Sequence, residues 1–177
     1  KSPRSKATKA LWIGGSGGAI AHFDGTDWTM MVEPVTANLR AVWGLSTTDL
    51  WAVGEGGFIY HGNGAGWQRT EIEKYQPDPE QKPYEVKSHL LAVWGAANND
   101  VWASGEPDEK NHGVLVHWDG KSWKYVTLLY ALPRTIRSIW GWSASNILMA
   151  GTQGTVMRLD GKKGEVGMME VPTIATL

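Results

Sequence analysis

Hydrophobic positions along this chain recur in short alternating runs, not at helical spacing. Three runs read alike: Leu39-Arg40-Ala41-Val42-Trp43-Gly44, Leu90-Leu91-Ala92-Val93-Trp94-Gly95 and Ile136-Arg137-Ser138-Ile139-Trp140-Gly141. Eight residues after each Trp stands a second hydrophobic position, Trp51, Trp102 or Leu148, and two residues before that position stands Asp49, Asp100 or Asn146. A glycine step and a third run follow. Gly57-Phe58-Ile59-Tyr60-His61 matches Gly18-Ala19-Ile20-Ala21-His22, Gly113-Val114-Leu115-Val116-His117 and Gly154-Thr155-Val156-Met157-Arg158. Tight turns close each unit at Asp24-Gly25, Asn63-Gly64, Asp119-Gly120 and Asp160-Gly161, where Asx-Gly pairs supply the left-handed residues that hairpins require.

Each unit therefore predicts four short antiparallel strands, with periods of 39, 51 and 46 residues between the second-strand positions Trp12, Trp51, Trp102 and Leu148. Four strands in a unit of that length is a β-propeller blade, so the predicted class is all-β. The predicted organisation is a basic N-terminal extension (1–10) followed by blades at 11–38, 39–89, 90–135 and 136–177. Tryptophans at repeat positions (Trp12, Trp28, Trp43, Trp51, Trp67, Trp94, Trp102, Trp123 and Trp140) are expected to be structural. Of these, Trp43, Trp94 and Trp140 should be buried between blades. The first-strand motif occurs three times and the others four, and 168–177 matches 30–39, which leads from one blade to the next. Either 173–177 supplies blade 1's missing strand and closes a four-bladed ring, or the chain is an arc of a larger propeller; the arc is the favoured expectation, completed by further polypeptide or by another subunit.

The pattern LRAVWG…DLWAVGEGGFIYH, followed by Asn-Gly and a Trp, resembles the Trp-Gly propeller repeats of bacterial extracytoplasmic proteins and lipoproteins, myxobacterial ones especially. It is also similar to Asp-box (BNR) propellers and to photosystem assembly factor propellers. The spacing departs from the Asp box, because Asp24 and Trp28 are four residues apart and the order is Asp-Gly. The resemblance covers about residues 11–164 and implies an extracytoplasmic, periplasmic or cell-surface propeller. It does not by itself assign an activity.

Composition supports this picture. Of 177 residues, 22 are Gly and 11 are Trp, a pairing of turn formers and β-formers that helical proteins rarely show. The formal net charge of −1 argues against nucleic acid or anionic lipid as the main partner. There is no Cys, which removes disulfides, thiolate zinc sites and cysteine nucleophiles together. No apolar run is long enough to span a bilayer, and none reads as a signal peptide.

Two insertions break the regularity. Twenty-seven residues separate Trp67 from Trp94, against 15 between Trp28 and Trp43 and 17 between Trp123 and Trp140. The other insertion, 106–111, lies between the second and third strands of blade 3. In a propeller both connections emerge on one face, where variable loops commonly build recognition. Tyr75, Asp78, Glu80, Tyr84 and Glu85 in the first, with Asp108 and Glu109 in the second, are the expected interaction surface. Each insertion carries two more acids than lysines, which points to a basic partner or a cation such as calcium. Pro77, Pro79 and Pro83 stiffen the longer loop.

Catalytic chemistry is hard to find. His22, His61 and His117 share one repeat position, so they lie on different blades, and the fourth copy is Arg158. No Gly-x-Ser-x-Gly elbow occurs, and Gly14-Gly15-Ser16-Gly17-Gly18 lacks the helix and lysine of a phosphate loop. The leading expectation is a non-catalytic scaffold for protein–protein interaction, part of a larger assembly, bound to a protein partner or neighbouring subunit, with no cofactor. A glycan-binding lectin is the runner-up. A propeller hydrolase with its active site outside this chain is third.

Overall fold

A computed structural model describes residues 11–31, 37–76, 78–127 and 134–169. The extension 1–10, Pro77 and the tail 170–177 lie outside these residues. Among the described residues, fifteen strands form four antiparallel sheets. Blade 1 has three strands among the described residues: β1 (Leu11–Gly14), β2 (Ile20–Phe23) and β3 (Trp28–Met31). Blade 2 holds β4 (Leu39–Ser46), β5 (Asp49–Gly54), β6 (Ile59–Gly62) and β7 (Trp67–Thr70). Blade 3 holds β8 (Leu90–Ala97), β9 (Asp100–Gly105), β10 (Leu115–Trp118) and β11 (Trp123–Tyr125). Blade 4 holds β12 (Ile136–Ser143), β13 (Asn146–Gly151), β14 (Val156–Asp160) and β15 (Glu165–Met168).

The turns form as their residues dictate. Asp24 Oδ1 accepts the amides of Thr26 and Asp27 at 2.7 and 2.9 Å, and Asp119 Oδ1 accepts those of Lys121 and Ser122 at 2.9 and 3.0 Å. Gly25 and Gly120 then take φ of 104° and 91°, which a side chain would resist. In blade 4 the turn is longer: the left-handed residue is Gly164, whose amide bonds Asp160 O at 2.8 Å.

The core lies in three seams between consecutive blades, because one sheet cannot bury both of its faces. One seam joins Trp51, Val53 and Ile59 of blade 2 to Leu90, Val93, Val101, Val116 and Trp123 of blade 3. Another sets Trp94, Trp102 and Leu115 of blade 3 against Ile139, Ile147, Met149, Met157 and Leu159 of blade 4. The third brings Trp12 and Ile20 of blade 1 onto Leu50, Ala52, Tyr60 and Trp67 of blade 2.

Near the propeller axis the seam follows a rule of large on small. Trp43 and Trp94 each lie over the glycine of the next blade's inner strand. A Cβ at Gly95 would stand 2.9 Å from Trp43, and one at Gly141 would stand 2.8 Å from Trp94. Trp-Gly is thus one filler and one socket, used on opposite sides of each blade.

This arrangement corrects part of the tryptophan expectation. Trp51, Trp67, Trp94, Trp102 and Trp123 are buried, and Trp12 and Trp43 are half-buried. Trp140 is 50% exposed and Trp28 is 51% exposed, because each stands on a face that no other blade covers among the described residues.

The recurrent histidines have a structural use as well. His61 stacks on Trp51 at 4.1 Å and its Nε2 bonds Asp49 Oδ1 at 2.8 Å. His117 stacks on Trp102 at 4.0 Å and bonds Asp100 Oδ1 at 2.8 Å, while Trp102 Nε1 donates to the same oxygen at 2.7 Å. Blade 4 replaces the pair with Arg158 Nε donating to Asn146 at 2.9 Å. Burial pushes the Asp100 carboxyl up, but the bonds from His117 and Trp102 outweigh it and hold it below the ordinary range.

A candidate interaction site where two insertions meet

Past β7 the first insertion runs along the outer edge of blade 3. Ile72 bridges Trp123 in parallel, and the Glu73 amide donates to Trp123 O at 2.8 Å. An otherwise open sheet edge is thereby covered. The chain then turns back on itself. Tyr75 and Tyr84 exchange backbone bonds of 2.9 and 3.0 Å, their rings meet edge to face at 5.7 Å, and Tyr75 stacks on Tyr125 at 4.2 Å.

The tip is tied by Gln76, whose Nε2 donates to Pro79 O at 3.1 Å and Gln81 O at 3.0 Å, and by Asp78, which accepts the Glu80 amide at 3.0 Å. The Asp78 carboxylate therefore serves the turn itself, and Glu80 enters it through its backbone amide.

The second insertion is built around one carboxylate. Asp108 Oδ1 accepts the amides of Lys110 and His112 at 3.0 and 2.8 Å, and Asn111 takes a left-handed φ of 66° to close the loop. Asp108 Oδ2 accepts the Tyr84 hydroxyl at 3.0 Å and lies 3.2 Å from His112 Nδ1. Lys110 Nζ sits 3.8 Å from the Tyr84 ring centroid, a cation–π contact. The two insertions, far apart in sequence, are one structure held at Tyr84–Asp108.

Between them opens a pocket of about 360 Å³ lined by Lys74, Pro83, Tyr84, Glu85, Lys87, Asp108, Glu109 and Lys110. Of the expected surface residues, Tyr84, Glu85, Asp108 and Glu109 line this pocket, and Tyr75 backs it. Asp78 and Glu80 do not line it. Asp108 is buried, 8% exposed, so it positions the loops where an exposed contact was expected. Burial pushes its carboxyl up, yet the His112 amide, the Tyr84 hydroxyl and the His112 ring hold it below its ordinary value.

The charge also differs from the tally of the loops. Lys74, Lys87 and Lys110 gather in the pocket beside Glu85 and Glu109. Lys87 lies 3.0 Å from Glu85, holding that carboxyl below its usual range. The net acidity resides outside the pocket, at Glu71, Glu73, Glu106 and the loop tip, and the pocket wall is mixed. These lysines and His112 carried no motif; only folding brought them together. Among the described residues no three His, Asp or Glu side chains are grouped to hold a metal ion.

No protein-family model matches the chain, and no curated protein matches it. Solved structures do. The crystal structure of the WD40 β-propeller domain of Doa1 has a TM-score of 0.58 at 12% identity, with 87% of this chain covering 47% of that one. The structure of YCF48 bound to D1 peptide has a TM-score of 0.42 at 15% identity, covering 87% of this chain and 61% of that one. The first likeness, with the four antiparallel blades, establishes the fold. The chain is an arc of a β-propeller. It spans about half the length of the Doa1 propeller structure.

Proposed function

We propose that this arc is a non-catalytic scaffold that docks a protein partner on the insertion face, as part of a larger assembly. One observation carries the reading: two insertions from different connections converge, through Tyr84 and Asp108, into a single pocket on an otherwise regular propeller. Rigid aromatic anchors (Tyr75, Tyr84) beside lysines and glutamates suit a polypeptide surface with both charge signs. The histidines at the repeat position are engaged with tryptophans and, in blades 2 and 3, with aspartates. That placement supports a structural role for them. The resemblance of the repeat to extracytoplasmic propellers supports such a setting, which cell fractionation checks.

Affinity capture from the native source, with identification by mass spectrometry, tests the docking face. A Lys87→Glu/Glu109→Lys double variant should lose a protein that the wild-type chain retains. Lys121→Glu, on the short turn between β10 and β11, should keep it. Equal capture by all three chains would remove the insertion face as the docking site.

A further inference from the structure

Of the nine exposed large hydrophobic side chains among the described residues, six gather on two faces, while Leu45, Met168 and Met169 lie elsewhere. Leu11 (51% exposed), Ile13 (49%), Trp28 (51%) and Met30 (60%) all lie on the face of blade 1 turned away from blade 2. The register requires it: Leu11 pairs with Phe23 and Phe23 with Trp28, while Ile13 pairs with Ala21 and Ala21 with Met30. Trp140 (50%) and Trp142 (64%) lie on the face of blade 4 turned away from blade 3, in edge contact at 4.4 Å. Trp142 stands where blades 2 and 3 carry Leu45 and Ala96, so blade 4 presents the larger aromatic surface.

These two faces are the leading and trailing sides of one repeat. Everywhere else in the chain a trailing side is buried on the next leading side, through the same strand positions. Leu11 and Ile13 correspond to Ile147 and Met149, which blade 3 buries completely, and Trp140 corresponds to Trp94. Gly44, unlike Gly95 and Gly141, has no tryptophan among its nearest atoms. Contiguous apolar faces of this kind mark interfaces.

We propose that the trailing face of blade 4 packs on the leading face of blade 1 of a second copy, and reciprocally, so that two arcs close into one ring. This goes beyond the docking of a partner on the insertion face and does not depend on it. A second copy is the occupant because it brings both complementary faces in the geometry that the chain already uses three times. A head-to-tail contact needs a rotation that closes, and twofold closure forms both contacts together. The arc has the span for this, since it covers 47% of a whole propeller structure. A formal net charge of −1 per chain sets up little repulsion between copies.

Sedimentation equilibrium of the 177-residue chain at micromolar concentration should give twice the chain mass. Trp140→Glu and Ile13→Asp should each weaken self-association more than tenfold, with the near-ultraviolet circular dichroism of the buried tryptophans retained. The chain has no cysteine, so single Ile13→Cys and Leu148→Cys variants can be joined by a bismaleimide. Cross-links should form when the two variants are mixed and not within either alone. A monomeric wild type, an open-ended ladder of oligomers, or cross-linking of Ile13→Cys to itself would each overturn the proposal.

Discussion

Trp94 and Trp140 hold the same place in the same repeat, yet one is 6% exposed and the other 50%. Each follows an Ala-Val or Ser-Ile pair on an inner strand and each precedes a glycine. Trp94 has Gly141 beneath it and blade 4 beyond, whereas Trp140 has Trp142 in edge contact and no further blade against it among the described residues. Burial of the motif is thus a property of the neighbouring blade. A repeat protein stores its stability in such contacts, so identical sequence positions carry unequal energies.

The largest expected difference follows directly. Trp94→Ala opens a cavity between blades 3 and 4 and should destabilise the chain by roughly 3–5 kcal/mol, the usual range for a large buried aromatic. Trp140→Ala should change stability by less than about 1 kcal/mol, as surface substitutions do. Urea unfolding at concentrations too low for association measures both. Equal losses would mean that blade 4 is covered as fully as blade 3.

A second pair compares the polar units of the same blades. Asp100→Ala leaves His117 and Trp102 Nε1 without their shared acceptor and should destabilise by about 1–3 kcal/mol. Asn146→Ala removes one exposed bond to Arg158 and should stay within about 0.5 kcal/mol. Acid should separate the two further. The Asp100 carboxyl lies below its ordinary value in the folded chain, so its stabilisation is complete above that value and is lost as pH falls beneath it. Asp100→Asn should flatten the acid limb of the stability profile. An unchanged limb would show that this carboxylate is not linked to folding.

The blades were legible in the sequence because spacing and Asx-Gly turns are local signals, and a propeller repeats them. The common face of the two insertions was legible for the same reason, since strand order fixes which connections share an end. Long-range side-chain pairing was not. Asp49 and Asp100 were visible as recurrent positions and so were His61 and His117, but nothing in the sequence says that a second-strand carboxylate reaches a third-strand ring. Equally, counting charges along 71–88 and 106–111 misses that three lysines fold into one pocket and that Asp108 faces inward. The exposure of Trp28 and Trp140 escaped because a pattern identifies a blade's two faces and not what stands against them.

The smallest effect concerns the link between the insertions. Tyr84→Phe keeps the ring against Tyr75 and Lys110 and deletes one hydroxyl, whose bond to Asp108 should be worth about 1 kcal/mol or less. The loss should be local. The amides of Asp108 and His112, which bond His112 O and Asp108 Oδ1, should exchange with solvent faster, while the urea midpoint of the whole chain barely moves. The wild type should show the same loosening when acidified, because a carboxyl held below its ordinary value gives up its stabilisation as pH falls past that value. In Asp108→Asn the acid response should vanish and the amides should exchange quickly at every pH. If instead the variant lowers the global midpoint and leaves these amides unchanged, the insertions are part of the blade core, and the pocket between them is not an independently formed site.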